Sequence, residues 1–378
     1  MKIICAPDSF KESLSAVEAA NAMAAGIRSV MPDATIDCCP VGDGGEGTLA
    51  ALQAAIGGQT VNSRVHGMLG GSINVPIGQF NDGKFAYVET AGAIGPKSSP
   101  DGKRDVMSSS TFGVGELLVD ASSIAPDQIM VGIGGSATND GGCGMAQAIG
   151  VRFFDTAGTL ISEPLCGAQL QRISRIDIGN RNQKFDTQKI VVLCDVTNPF
   201  AGPQGAAFIY APQKGASPDQ VKHLDDGLKH LACVVQKDLG IDLTTMPSAG
   251  AAGGLGGGLA AFAGAKLTSG IDTILDAVNF DSRVQDADLC LTGEGRMDAQ
   301  SMSGKACMGV AALAAHAGIP TIALVGSAGP GADQCLQAGI RKYVVIGDGL
   351  PAEESIKRAR ELLSLSAARV VTEYWQTP

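Results

Sequence analysis

The stretch "IMVGIGGSATNDGG" (residues 129–142) decides the fold class, because an apolar run breaks into glycines and then into Ser, Thr, Asn and Asp. Its first part, residues 129–134, is nearly continuous in apolar residues, as is typical of a parallel strand covered on both faces. Its polar part follows at the carboxyl end of that strand, where parallel sheets bind their ligands. The stretch therefore predicts an α/β fold with a polar site at one sheet edge.

Similar apolar runs recur along the chain, at residues 3–6, 36–41, 190–194, 288–292, 321–325 and 343–346. Helical patterns lie between several of them, at residues 13–30, 45–58, 304–317 and 352–366. Alternation of strands and helices is the pattern of a parallel sheet with helices on its faces.

The middle of the chain differs from its two ends. Within residues 60–90 an "NDG" sequence lies between apolar runs, which predicts a β-hairpin. Outside the middle, two βα units at the start and three at the end give five parallel strands, the size of a flavodoxin-like sheet. We therefore expect a discontinuous flavodoxin- or Rossmann-like domain (1–60 and 285–378) interrupted by an inserted α/β domain (61–284).

Composition narrows the function classes. The 378 residues are 45% hydrophobic with a net charge of −10, which argues against a non-specific nucleic-acid binder. The apolar run in "MKIICAPDSF" is too short for a signal peptide, and the glycine-rich 249–265 stretch predicts a buried helix rather than a membrane span. The 10 cysteines form no C-x-x-C pair, which indicates reduced thiols in a cytoplasmic protein.

Three interpretations of residues 131–142 stay open at this point. Gly132, Gly134 and Ala137 fit a G-x-G-x-x-A dinucleotide fingerprint, and Asp155 follows at about the right distance, so an NAD-dependent oxidoreductase is an alternative. Against it, polar residues and glycines follow Ala137, where a dinucleotide fold would begin an apolar helix. A tight turn without a ligand is the plainest interpretation.

The third interpretation is a phosphate-binding loop that needs no dinucleotide. Backbone N–H groups and hydroxyls can cradle phosphate oxygens. The residues that would do so for ATP are Gly134, Gly135, Ser136, Thr138 and Asn139.

Four other predicted strand ends also turn polar at once. They are "APDSFKES" (6–13), "VGDGGEGT" (41–48), "CDVTNPF" (194–200) and "TGEGRMDAQS" (292–301). Each Asp singly could be a helix N-cap, but five such ends meeting at one kind of sheet edge favour ligand binding.

These residue types favour phosphoryl transfer, which needs phosphates held by N–H groups and cations, carboxylates for Mg²⁺, and an aligned acceptor hydroxyl. No G-x-x-x-x-G-K-[ST] sequence is present, so the chain is not a P-loop enzyme. The four histidines show no zinc-ligand spacing, and no G-x-S-x-G hydrolase motif occurs.

Seven stretches in the same order over essentially the whole chain resemble the bacterial class I glycerate kinases: "KIICAPDSFKESLSA", "VGDGGEGT", "GIGGSATNDGG", "CDVTNPFAGPQGAA", "APQKGAS", "AGAAGGLGGGL" and "TGEGRMDAQS". The resemblance implies transfer of the γ-phosphate of ATP to D-glycerate with Mg²⁺, giving 2-phosphoglycerate, in the catabolism of glycerate and related sugar acids. It also implies two α/β domains with the active site in the cleft between them.

Residue roles follow from chemistry within that reaction. Arg296 suits the glycerate carboxylate because its fork binds bidentately, with Ser9 and Ser301 as further substrate-binding residues. Lys11 is the candidate cation for the transferred phosphoryl group.

Four carboxylates in two roles complete the set of candidate site residues. Asp195 is the candidate base that orients the acceptor hydroxyl, and Asp298 is the second candidate. Asp43 and Glu294 are the candidate Mg²⁺ ligands. A glycerate kinase thus leads over an NAD enzyme and over a non-catalytic sugar-acid binding module, and we expect a monomer or homodimer that binds neither nucleic acid nor membranes.

Overall fold

A computed structural model of the chain describes residues 1–99, 103–302 and 306–376. The strands within these residues are β1 (Lys2–Pro7), β2 (Thr35–Cys38), β3 (Gln59–His66), β4 (Ser72–Phe80), β5 (Phe85–Glu89), β6 (Gln128–Gly132), β7 (Arg152–Phe154), β8 (Arg175–Asp177), β9 (Lys189–Leu193), β10 (Lys266–Thr268), β11 (Leu289–Met297), β12 (Thr321–Ala328) and β13 (Ile340–Val345). Each apolar run that the sequence singled out overlaps one of these strands.

The α-helices within the same residues are α1 (Ala16–Val30), α2 (Thr48–Ile56), α3 (Ala91–Ile94), α4 (Phe112–Ser123), α5 (Cys143–Ala148), α6 (Ala206–Tyr210), α7 (Pro218–Leu239), α8 (Leu255–Ala263), α9 (Gly270–Ala277), α10 (Phe280–Val284), α11 (Ala306–His316), α12 (Ala352–Lys357) and α13 (Ala359–Gln376). Short 3-10 helices cover Pro96–Ser98, Gly167–Arg172, Gln183–Asp186, Pro212–Lys214, Ala299–Met302 and Ala332–Ala338. No helix in the described part of the chain is both long and apolar enough to cross a membrane.

The described residues divide into two units. Unit 1 comprises Met1–Asp43, Gly47–Gly57 and the described residues from Ser269 onward, and unit 2 comprises Gly44–Glu46 and the described residues of Gly58–Thr268. The sequence placed the return to the first domain at residue 285. In the structure α9 and α10 belong to unit 1, because Ile271 and Leu275 of α9 pack against Gly309 of α11.

Unit 1 is built on a five-stranded sheet in the order β13–β12–β11–β1–β2. All four neighbouring pairs are parallel. Numbered within the unit, the strand order is 2-1-3-4-5, which is the flavodoxin-like order. The predicted five-stranded parallel sheet is therefore confirmed, and its topological switch point lies between β1 and β11.

Local sequence explains the first crossover of unit 1. The Ser15 hydroxyl accepts a hydrogen bond from the Glu18 backbone N–H, and the Glu18 carboxylate accepts one from the Ser15 N–H, so the two form a capping box that begins α1. Met23 and Ile27 of α1 are fully buried and pack in one core with Ile3 of β1. The apolar face of the helix thus returns the chain to the sheet beside β1.

Unit 2 is built on a six-stranded mixed sheet in the order β10–β9–β6–β5–β4–β3. β3, β4 and β5 are antiparallel, and β5, β6, β9 and β10 are parallel. The predicted hairpin is β4–β5, with Asn81 and Asp82 at positive φ in its turn. The helix predicted in the 249–265 stretch is the buried α8, and β7 and β8 form a small separate sheet.

Candidate active site

A cavity of unit 1 with a volume of about 930 Å³ lies at the carboxyl ends of β1, β11, β12 and β13. Six residues singled out from the sequence line it: Ser9, Lys11, Asp43, Glu294, Arg296 and Asp298. Another part of its wall is apolar and includes Ile346, Leu350 and Ile356. The cavity adjoins the switch point between β1 and β11, where open parallel sheets bind ligands.

Lys11 stands on a tight loop after β1. The Phe10 and Leu14 backbones exchange hydrogen bonds of 2.8 and 2.9 Å across this loop. A Cβ on Gly295 would lie 3.0 Å from the Lys11 backbone nitrogen, so the loop approaches β11 as closely as a glycine allows. The Lys11 side chain is exposed on the cavity wall, where it is free to meet a ligand.

Arg296 is held in place by its neighbour Asp298. The Arg296 Nε donates to Asp298 Oδ2 at 3.0 Å, while the other Asp298 oxygen accepts the Gln300 N–H at 2.9 Å. Ser301 is buried, and its hydroxyl accepts the Asp298 N–H at 3.2 Å. Ser301 thus supports the turn that carries Asp298, and its predicted contact with substrate stays a prediction.

Asp8 is a cavity residue to which the sequence analysis assigned no role. It is partly buried after β1, and its carboxylate accepts the Ser9 N–H at 2.6 Å. Burial, followed by the negative charge of Asp43, raises the pKa of Asp8 to about 7, and Glu294 contributes in the same direction. Burial and the neighbouring carboxylates therefore disfavour the ionised form of Asp8, while the charge of Lys11 acts in the opposite direction.

Asp8→Asn is expected to stabilise the protein in a pH-dependent way when divalent cations are removed with EDTA. The folded protein retains a proton on Asp8 up to about pH 7, whereas the unfolded chain loses it near pH 3.8, so ionised Asp8 opposes folding increasingly as pH rises through this window. The expected gain is about 4 kcal/mol at pH 8 and below about 1 kcal/mol at pH 4. Urea denaturation at both pH values measures it, and a gain independent of pH would contradict this origin.

In unit 2, the candidate site residues lie on the glycine-rich loop that follows β6 and at the end of β9. Register pairs Gly132 at the end of β6 with Leu193 at the end of β9, so residues 134–139 and Asp195 leave the sheet at the same edge. The Gly134 N–H donates to the Gly44 carbonyl at 3.2 Å, and a Cβ on Gly134 would lie 2.6 Å from the Gly45 Cα. The two glycine stretches predicted as separate polar strand ends therefore lie against each other.

Asp140 fixes the shape of this loop from within. Its buried carboxylate accepts four hydrogen bonds: from the Thr111 N–H and hydroxyl, both at 2.8 Å, the Gly142 N–H at 3.0 Å and the Gly144 N–H at 3.2 Å. Burial raises the pKa of Asp140, and these bonds act against the rise. Its role is structural, since the buried carboxylate joins the backbone N–H groups of Thr111, Gly142 and Gly144.

Asp140→Asn is expected to lower the free energy of unfolding by about 2 kcal/mol, because the amide nitrogen would face donors that now meet a carboxylate oxygen. Urea denaturation measures the loss. Asp226→Asn on the exposed side of α7 is the matched control and should change stability by less than about 0.5 kcal/mol. Equal stability of the two variants would contradict the structural role of Asp140.

Lys214 is the second functional candidate that sequence reasoning missed. It ends the 3-10 helix Pro212–Lys214 and is only 5% exposed. Its Nζ donates to the Ser136 hydroxyl at 3.0 Å and to the Thr138 carbonyl at 2.7 Å. A cation thus lies directly against the loop predicted to hold phosphate oxygens.

Known proteins are similar to this chain over nearly its full length. The model of the glycerate kinase family matches residues 3–375. The chain belongs to the glycerate kinase family. It is 42% identical over 375 residues to a glycerate kinase of Halalkalibacterium halodurans, with 99% of this chain and 98% of that one covered. It is 45% identical over 327 residues to the glycerate 2-kinase of Escherichia coli, covering 86% of this chain and 85% of that one.

A solved structure agrees with the family assignment. The crystal structure assigned as glycerate kinase 2 from Salmonella typhimurium LT2 matches with a TM-score of 0.86 and 39% identity, covering 100% of this chain and 98% of that chain. The family resemblance, the α/β fold class and the kinase class predicted from the sequence are thereby confirmed.

The alternative of an NAD-dependent oxidoreductase is not supported. A dinucleotide fingerprint leads from its strand directly into a helix, whose N-terminus receives the pyrophosphate. Here the residues that follow Gly132 stay irregular as far as Gly142, and α5 begins only at Cys143. In this glycerate kinase family member, the G-x-G-x-x-A match is a by-product of a glycine-rich loop.

Proposed function

We propose that this protein is a D-glycerate 2-kinase that transfers the γ-phosphoryl group of ATP to the C2 hydroxyl of D-glycerate, with Mg²⁺, giving 2-phosphoglycerate and ADP. The observation that carries the proposal is the unit 1 cavity, which collects Lys11, Arg296 and the carboxylates of Asp8, Asp43, Glu294 and Asp298 at the switch point of a flavodoxin-like sheet. Family membership supports glycerate as the acceptor. The E. coli relative, a glycerate 2-kinase, supports C2 as the position.

Arg296 would bind the glycerate carboxylate. The Asp298 carboxylate engages its Nε, so the two terminal amino groups of the guanidinium are available for a bidentate contact. Ser9 on the same cavity wall would add a hydrogen bond. On this assignment Asp298 positions Arg296, while its alternative role as a base stays a prediction.

Asp195 would orient the acceptor hydroxyl and take its proton as the new O–P bond forms and the bond to ADP breaks. A carboxylate suffices, because the transition state of phosphoryl transfer demands little base strength. Lys11 would neutralise charge on the transferred phosphoryl group. Residues 134–139 would hold phosphate oxygens of ATP through backbone N–H groups and hydroxyls.

The carboxylates of unit 1 fit Mg²⁺ in the way that kinases usually bind it, through one or two carboxylates, water and substrate phosphates. Asp43 and Glu294 would hold the ion, and both line the cavity together with Asp8. Among the described residues no group of three or more His, Cys, Asp or Glu side chains is arranged as a complete metal site. When bound, Mg²⁺ would offset the charge of the ATP phosphates.

The experiment that tests the proposal is formation of ADP in the presence of purified protein, ATP, Mg²⁺ and D-glycerate. We expect turnover with D-glycerate, little with L-glycerate at the same concentration, and none when EDTA is in excess of Mg²⁺. If ADP forms no faster with D-glycerate than without any acceptor, the proposed function is refuted.

A further inference from the structure

The strongest unexplained feature of the molecule is the buried lysine of unit 2. Lysine is almost never fully buried unless it is paired with an acid. Yet Lys214 is 5% exposed, and the described residues offer it no carboxylate within 4 Å. Its two acceptors are neutral oxygens, the Ser136 hydroxyl and the Thr138 carbonyl.

Asp140 cannot serve as the missing partner. Its charge acts on Lys214, but its oxygens accept the four hydrogen bonds from Thr111, Gly142 and Gly144. The lysine therefore sits in a site that disfavours its charge, and burial lowers its pKa to about 7. Buried ionisable side chains with a strongly shifted pKa cluster at functional sites, so Lys214 is a candidate for a functional role.

The loop above the lysine has unused hydrogen-bonding capacity. Within the described residues, Thr138 Oγ1 and both polar atoms of the Asn139 side chain are buried and meet no hydrogen-bond partner. Buried polar groups are normally satisfied, so their presence indicates that something else completes the set. Gly135 and Ser136 on the same loop reach the surface, which gives a ligand access.

We propose that Lys214 is the cation of an oxyanion subsite that it forms with Ser136 and the 134–139 loop. The ligand class is a phosphoryl or carboxylate group, since a lysine ammonium with neighbouring hydroxyl and backbone N–H donors recognises either. This inference rests on the proposed function, in which that loop holds the phosphates of ATP, and it deepens that function by naming the positive charge.

The deciding variants are Lys214→Met and Lys214→Gln, with Lys222→Met on the exposed face of α7 as the matched control. Glutamine can donate hydrogen bonds toward the same oxygens without a charge, and it serves if the methionine variant does not fold. We expect both Lys214 variants to raise the KM for ATP at least tenfold at pH 7 with a smaller change in kcat, while Lys222→Met changes neither more than twofold.

The two sources of the anion give different results. A rise confined to the KM for ATP assigns a phosphoryl group, and a rise confined to the KM for D-glycerate assigns the carboxylate. Values within twofold of wild type for both substrates in a folded variant, or full recovery in Lys214→Gln, would overturn the subsite and leave the lysine a structural role.

Failure of the proposed function is separable from failure of this inference. If the wild-type protein forms no ADP from D-glycerate, calorimetric titration with ADP or with D-glycerate still tests the subsite. Binding of either one by wild type that weakens tenfold in Lys214→Gln supports it, whereas equal affinities in the two proteins refute it.

Discussion

Lys11→Met is expected to lower kcat by about 10²- to 10³-fold, the usual loss when one preorganised positive or hydrogen-bonding group is removed from a transition state. Lys11 is exposed on a cavity wall that it shares with Asp8, Asp43 and Glu294, and its charge acts on Asp8. Because the side chain is exposed, its loss should not change the melting temperature by more than about 2 °C. Steady-state kinetics at saturating ATP and D-glycerate measure the effect.

The matched control is Lys357→Met, an exposed lysine at the end of α12 that does not line the cavity. Its kcat should stay within twofold of wild type. Near-normal turnover of Lys11→Met would remove this lysine from the mechanism, and an equal loss in both variants would indicate a general effect of surface charge.

Asp195→Asn is the second large expected effect, with kcat lowered by about 10²- to 10⁴-fold. The residue leaves β9 two positions beyond Leu193, at the edge where the glycine loop leaves β6. Asparagine keeps the size of the side chain but cannot accept the proton of the acceptor hydroxyl. The KM for ATP should therefore change little. An unchanged KM would distinguish loss of the catalytic base from disruption of the ATP-binding site.

Asp226→Asn on the exposed face of α7 is the control for that variant and should retain full activity. Single-turnover measurements should place the loss of Asp195→Asn in the chemical step rather than in product release. Retention of more than a tenth of wild-type kcat would exclude Asp195 as the base and leave Asp298 as the next candidate.

The sequence predicted the sheet of unit 1 because its strands are buried on both faces and read as continuous apolar runs. It also predicted the lining of the cavity, since Ser9, Asp43 and Arg296 each follow or end a strand of one parallel sheet. Parallel strands bring such ends to one edge whatever their distance along the chain. The apolar pattern of the strands and the parallel topology were therefore enough to predict that these three residues lie at one edge of the sheet.

Lys214 could not be predicted in the same way. Its acceptors Ser136 and Thr138 lie 78 and 76 positions away, and "APQKGAS" contains nothing that marks its lysine as buried. Asp8 was visible as a polar residue after β1, but its raised pKa depends on the proximity of Asp43 and Glu294, which only the folded cavity establishes. Both features arise from packing between distant segments.

The boundary near residue 284 illustrates another limit. α9 and α10 follow one another without an intervening strand, so their periodicity does not reveal which sheet they cover. Their side chains decide it, through contacts such as that of Ile271 with Gly309. Domain membership is set by that packing and not by the order of elements along the chain.

The most direct test of the central claim is a coupled assay that reports which hydroxyl receives the phosphoryl group. Protein, D-glycerate, ATP and Mg²⁺ are mixed with enolase, pyruvate kinase, lactate dehydrogenase and NADH, without added ADP or phosphoenolpyruvate, and absorbance is followed with and without phosphoglycerate mutase. A glycerate 2-kinase should consume NADH at the same rate in both mixtures. Consumption that requires the mutase, or none in either mixture, would contradict the account.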